Sequence, residues 1–180
     1  DRYSRLVLAG AWEVQNADLW RRFQAAAQKV ARARAAGADM PPARNKLEDA
    51  SSALLAPLDG TCNEARLLHG TTPGVVLKIL HDGFNERLAS LGGLFGAGCY
   101  FAEDVAKVDQ YVVGDAPGAQ HGALHGALYA DGGPPGCVFY VFVSRVALGV
   151  QSERRAPCNA RRELDEIPGL APPTRYHSLL

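Results

Sequence analysis

HGTTPGVVLKILHDGFNERLASLGGLFGAGCYFAEDVAKVDQY, residues His69 to Tyr111, is the stretch on which the fold turns. Ala65 to Leu68 enters it as a short apolar strand ending at His69-Gly70. Thr72 stands where a helix N-cap belongs, Pro73 suits the first turn, and Gly83 supplies the stop. Between them Val76, Ile79 and Leu80 recur on one face. Phe84 to Phe95 reads as a loop carrying Asn85, Glu86 and Arg87. Gly98 to Ala102 reads as a second strand presenting Tyr100, and Glu103 or Asp104 caps a helix that ends near Tyr111. His69, Tyr100 and Tyr111 thereby fall on three separate elements.

Outward from this centre, Arg5 to Val14 is expected to form a strand broken by Gly10. Asn16 caps the helix after it, with Leu19, Phe23, Ala26 and Val30 as its buried stripe and Gly37 as its stop. Pro41-Pro42 and Pro57 punctuate the next segment, where Asn45 and Glu48 make a capping-box pattern before Ala50, Leu54 and Leu55. A short helix is expected there. Gly114 to Gly136 reads as loop and Cys137 to Val150 as the longest strand, β-branched and aromatic through its middle. The tail, with Pro168, Pro172 and Pro173, is loop-like. Strands and helices do not alternate regularly, which favours an α+β fold of mainly antiparallel strands over a doubly wound parallel sheet.

The 180 residues suit one domain spanning 1–180, and 47% hydrophobic with 21% charged residues is ordinary for a globular chain. Nineteen basic residues balance nineteen acidic ones, which argues against a general electrostatic grip on nucleic acid or anionic membrane. No apolar run approaches the roughly 18 residues of a membrane span, and DRYSR at the start carries no signal-peptide pattern. Cys62, Cys99, Cys137 and Cys158 are widely spaced without a CxxC pair. They read as free thiols in a reducing compartment, with a disulfide pair among them left open. His121 and His125 lie in a Gly/Ala-rich segment, weak grounds for a metal site even with Cys137 added. No metal is expected.

Gly92, Gly93, Gly96 and Gly98 first suggest a dinucleotide phosphate cradle. That fingerprint needs G-x-G-x-x-G after a strand and opening into a helix. Here Phe101 stands where the third glycine belongs and the run precedes a strand, so the motif fails. The glycines instead suit a tight turn or a close backbone approach to a ligand.

His69-Gly70-Thr71, then Gly96 through Ala102, then Lys107 and Tyr111 resemble the catalytic domain of the poly(ADP-ribose) polymerase family. Within it, the run from Asp82 to Gly98 most resembles the tankyrases, although their cysteine-rich zinc loop is absent. The resemblance is dense over about residues 64 to 113. It is thinner at Val14-Gln15-Asn16, along Cys137 to Gly149, and at Ala171-Pro172-Pro173 with Tyr176-His177-Ser178.

The resemblance implies an ADP-ribosyltransferase fold, with two short packed sheets forming a cleft for NAD, and transfer of ADP-ribose to an acceptor with release of nicotinamide. His69 matches the histidine that bonds the adenosine-side ribose. Gly70 matches the residue whose main chain clasps the nicotinamide carboxamide. Tyr111 matches the tyrosine stacked on the nicotinamide ring, and Tyr100 the one packing its other side. Arg87, in the segment covering the adenosine half, is a candidate near ribose or phosphates. Thr71, Phe101, Ala102 and Lys107 belong to the same matched motifs and carry over as candidate NAD contacts. The implied catalytic pair is His69 with Tyr100, NAD is a substrate, and no metal takes part. The implied partners are NAD and a protein acceptor, with a nucleic-acid acceptor open but unsupported, and no membrane. An intracellular site, cytoplasm or nucleus, is expected; a secreted toxin shares the chemistry but calls for secretion signals.

Two departures stand out. Val108 replaces a serine whose hydroxyl helps hold the carboxamide in many members, a loss of about 0.5–1.5 kcal/mol. The family's catalytic glutamate lies on a strand past the His-Ser block, whereas the present sequence ends at Leu180. Glu163 and Glu166 precede that block and take no role by motif. That glutamate stabilises an oxocarbenium-like ribosyl cation, so single transfer, polymer formation and NAD or ADP-ribose binding without turnover all remain readings of this sequence.

Overall fold

The computed structural model describes residues 5–43, 47, 55–89, 92–154, 156–158 and 161–180. Its frame is an antiparallel pair, β1 (Glu64–Thr71) and β2 (Tyr140–Ala147), with His69 opposite Phe142 and Thr71 opposite Tyr140. β1 is buried continuously from Glu64 to Leu68, the pattern of a strand covered on both faces. A second small sheet, β3 (Gln151–Ser152) beside β4 (Ser178–Leu179), is parallel. The α+β class follows the expectation, and of the two sheets among the described residues one is antiparallel.

α1 (Ala17–Ala35) begins as its sequence dictates. Asn16 accepts from the Asp18 and Leu19 amides, and Asp18 complements the helix dipole in the first turn. The same side chain donates Nδ2 to the Leu80 carbonyl at 3.1 Å, tying α1 to the last turns of α2 (Pro73–Asp82). The buried stripe of α1 is Ala27, Val30 and Ala33, one position round from the expected Ala26, and it packs with Met40, Cys62, Val150 and Ile167.

α2 has Pro73 at its start, and Gly83 ends it at φ +78°. Thr72 occupies the N-cap without a side-chain bond to the helix. Val76 and Ile79 are buried, Val76 against Leu124 and Tyr140. α3 (Val105–Val108) is capped by the Asp104 carboxylate, which accepts from the Ala106 amide, and runs into a 3-10 turn over Asp109–Tyr111.

Several expected elements take other forms. Arg5 to Val14 is not a strand: Leu6, Val7 and Leu8 are 54%, 72% and 82% exposed. A strand exists through its ladder, and no described strand lies beside this segment. The strand expected from Gly98 to Ala102 contracts to one bridge, Ala102 with Leu68, because the chain before it is bent into a glycine turn. The Phe84–Phe95 loop contains a 3-10 turn over Glu86–Leu88. Gly114 to Gly136 contains α4 (Gly122–Leu128), whose Leu124 and His125 are buried. Burial of these two residues overrides the poor helix propensity of glycine. The helix anticipated around Asn45, Glu48, Ala50 and Leu54 lies outside the described residues. All four cysteines are free thiols, and no described helix is long and apolar enough to cross a membrane.

Candidate functional site

A cleft of about 340 Å³ opens between the edge of β1 that faces away from β2, the helix α2 and the α3 turn. His69, Gly70, Tyr100, Phe101, Ala102, Lys107 and Tyr111 all line it. Thr71 and Arg87 do not. Thr71 is buried at the end of β1, and the exposed Arg87 side chain sits on the 3-10 turn that Asn85 caps.

The pairing of β1 explains how the strand serves this cleft. Leu68 exchanges two hydrogen bonds with Ala102, at 2.8 and 2.9 Å, on the edge away from β2. Successive residues of a strand direct their main-chain groups to alternate edges. Gly70, two residues on, therefore presents its N–H and C=O to that same edge, past the single bridge. A Cβ on Gly70 would lie 2.7 Å from the Val108 carbonyl oxygen and 2.9 Å from Val112 Cγ1. The glycine is thus required first by the protein's own packing, with α3 laid directly on β1.

His69 is held by a 2.8 Å hydrogen bond between Nδ1 and the Tyr100 carbonyl. A carbonyl only accepts, so Nδ1 carries the proton and Nε2 of the neutral ring keeps its lone pair. Phe84 meets the imidazole edge-on at 4.9 Å and Phe101 lies 5.5 Å from it. These rings fix its orientation.

Tyr100 is 40% exposed. Its hydroxyl donates to the Gly96 carbonyl at 2.7 Å and accepts from the Phe95 amide at 3.0 Å. That turn is fastened from outside as well: the Ala97 amide donates to the Arg161 carbonyl at 2.7 Å, and Gly96 sits at φ +94°. The glycines serve a tight turn, as their failure to match the phosphate fingerprint implied. Tyr111 is 54% exposed at the cleft mouth. Lys107 holds its ammonium 5.8 Å over the Tyr111 ring and 3.2 Å from Gln110 Oε1. Val108 is 2% exposed and packs with Leu68 and Val112.

Sequence reasoning passed over the α2 wall. Val75, Lys78, Ile79 and Asp82 line the cleft at i, i+3, i+4 and i+7, and Phe84 and Asn85 continue it. That helical spacing was the available signal. Cys99 also lines the cleft; burial, with Glu86 nearby, pushes its thiol upward, which keeps it protonated and unreactive. Glu163 pairs with Arg175 at 3.1 Å, and neither it nor Glu166 reaches the cleft. Asp82 is the one carboxylate among the described lining residues.

His125, one of the two histidines weighed as metal ligands, belongs to a buried hydrogen-bond network. His125 Nε2 donates to Asp115 Oδ2 at 2.8 Å, Tyr140 donates to the same oxygen at 2.7 Å, and Tyr129 meets Tyr140 at 3.2 Å. Burial pushes the Asp115 carboxyl upward, but the bonds from His125 and Tyr140 outweigh it and hold the acid below its usual value. Among the described residues no group of three or more His, Cys, Asp or Glu is placed to hold a metal ion.

Residues 2–164 match the model of the poly(ADP-ribose) polymerase catalytic domain. The chain belongs to that family. Its members use NAD as substrate, and the matched span contains every residue that lines the cleft. In this poly(ADP-ribose) polymerase domain the helices α2 and α3 form the walls of the cleft, and the free edge of β1 forms its floor.

Proposed function

We propose that the cleft binds NAD and that the domain transfers ADP-ribose to a protein acceptor with release of nicotinamide. The observation that carries this reading is the main chain of Gly70, a donor and an acceptor side by side on an open strand edge with Tyr111 beside them. A carboxamide offers the complementary acceptor and donor, and the half-exposed Tyr111 ring offers a stacking face to the pyridine. Tyr100 closes the other side.

The imidazole Nε2 of His69 accepts from a ribose hydroxyl, since Nδ1 is already committed to Tyr100. With both ends of the dinucleotide held, the bond from ribose C1′ to the pyridine nitrogen lengthens and breaks, its electrons leaving with nicotinamide. An acceptor heteroatom forms the new bond to C1′ and releases its proton to solvent. Holding the ring between aromatic faces fixes the leaving direction and removes orientational freedom before bond breaking. The likeness from Asp82 to Gly98 supports a tankyrase-like member, and four free thiols suit a reducing intracellular compartment.

Val108 supports a second reading, binding without turnover. Its buried methyl groups lie against Gly70, where a hydroxyl would add a bond to the carboxamide. Incubation with NAD labelled in its adenylate half separates the two. Free nicotinamide and labelled protein support transfer; saturable NAD binding with neither product leaves the binding module.

A further inference from the structure

We infer that Lys78 supplies the cation for the diphosphate of the dinucleotide, the role expected of Arg87, and that Asp82 opposes it. The inference rests on the NAD reading of the cleft and adds to it. NAD carries its negative charge on the diphosphate, and a cleft for it gains from a cation at mid-length. Among the described lining residues the ammonium-bearing side chains are Lys78 and Lys107.

Lys107 is already engaged, by Gln110 Oε1 and the Tyr111 ring, at the end of the cleft where Gly70 presents its main chain. Arg87 lies outside the lining. Lys78 has no hydrogen-bond or ion-pair partner among the described residues, and on the lining face of α2 its neighbours are the apolar Val75 and Ile79, with Asp82 one turn beyond.

The geometry of α2 sharpens the assignment. Asp82 is four residues beyond Lys78, yet the two form no ion pair, consistent with the weaker Lys-to-acid order along a helix. An anion near the C-terminal half of α2 meets the negative end of its dipole. Lys78 offsets that field, whereas Asp82 adds to it. A lysine at the rim also steers a dianionic ligand in from solvent, an effect that salt screens.

The test measures dissociation constants of the whole chain for NAD, ADP, adenosine and a benzamide-type nicotinamide mimic by calorimetry, at low and high salt. In Lys78→Gln, NAD and ADP are expected to bind about fivefold more weakly at low salt. Their salt dependence should flatten while adenosine and the mimic are unchanged. Asp82→Asn should move ADP the opposite way, tightening it by about twofold. Equal loss for ADP and adenosine, or an ADP affinity unmoved by Lys78→Gln, overturns the assignment. Wild-type protein that binds neither NAD nor the mimic instead overturns the NAD reading itself. Arg87→Gln serves as the competing variant: a larger, salt-dependent loss there than in Lys78→Gln returns the role to Arg87.

Discussion

His69 and His125 each lie within hydrogen-bonding reach of a tyrosine's neighbourhood, and both sit near glycine-rich segments, yet their surroundings differ in kind. At His69 the partner is a main-chain carbonyl, one ring nitrogen stays open, and the site faces a cleft. At His125 the partner is a fully buried carboxylate shared with the Tyr140 hydroxyl, and Tyr129 extends the chain. One histidine keeps hydrogen-bonding capacity for a ligand. The other gives its Nε2 proton to a network that joins α4, β2 and the Asp115–Val138 bridge. Residue type therefore separates the two less well than the direction in which unsatisfied capacity points.

That contrast breaks first at Asp115. Asp115→Ala removes the acceptor for both His125 and Tyr140 and is expected to lower stability by about 3–5 kcal/mol, read from urea midpoints. Asp115→Asn, which retains one acceptor oxygen, should lose less. Equal losses would mean that packing, and not the shared acceptor, sets the cost. Because the folded carboxyl is held below its ordinary value of 3.8, its contribution is present above that pH and is lost as the pH falls through the depressed folded value.

Gly70→Ala comes next, since the added methyl meets the Val108 carbonyl oxygen at 2.7 Å. Overpacking of this kind costs about 1–3 kcal/mol, and here it should also weaken benzamide-type ligands by pushing α3 off β1. A stable variant with unchanged ligand affinity would show that α3 gives way without altering the cleft. Tyr111→Ala reverses the pattern: stability should change by less than about 0.5 kcal/mol at this half-exposed position. Affinity for the same ligands should fall by about 1–3 kcal/mol, by analogy with base-stacking aromatics.

The smallest effect concerns His177. Burial lowers its imidazole below the ordinary value of 6.5, and its Nδ1 accepts the Val150 amide at 3.1 Å. Protonation destroys that acceptor. Its contribution is present above pH 6.5 and is lost as the pH drops through the folded value, so urea midpoints should begin to fall on acidification well before Asp115 titrates. His177→Gln should remove this upper step and leave the lower one.

Local signals were legible wherever they act within a few residues. Asn16, Asp104 and Gly83 punctuate helices where the sequence places them, because capping is a short-range hydrogen-bond requirement. The Asp115 network was not legible, since residues 115, 125, 129 and 140 meet only through tertiary packing. Arg5 to Val14 has strand composition without a partner, and composition does not make a ladder. At the cleft, the family motifs brought His69, Gly70, Tyr100 and Tyr111 together, as the fold does. Arg87 is exposed and outside the lining, since a residue beside a motif need not share the surface that the motif builds. Lys78 went unread for the opposite reason: a lysine among apolar helix positions looks like ordinary solvated surface until the helix is seen to face a cleft.

Tyr100 has a consequence for spectroscopy. Its carbonyl decides which nitrogen of His69 carries a proton, and its hydroxyl holds the turn at Phe95 and Gly96. The two ends of one residue therefore link an imidazole tautomer to the closure of a loop. Nitrogen chemical shifts of His69 and the exchange rate of the Phe95 amide should change together when a ligand displaces that turn. In Tyr100→Phe, which keeps the carbonyl and loses the hydroxyl, the amide should exchange faster while the tautomer stays put. The pair of signals forms a built-in gauge of how far the cleft has opened.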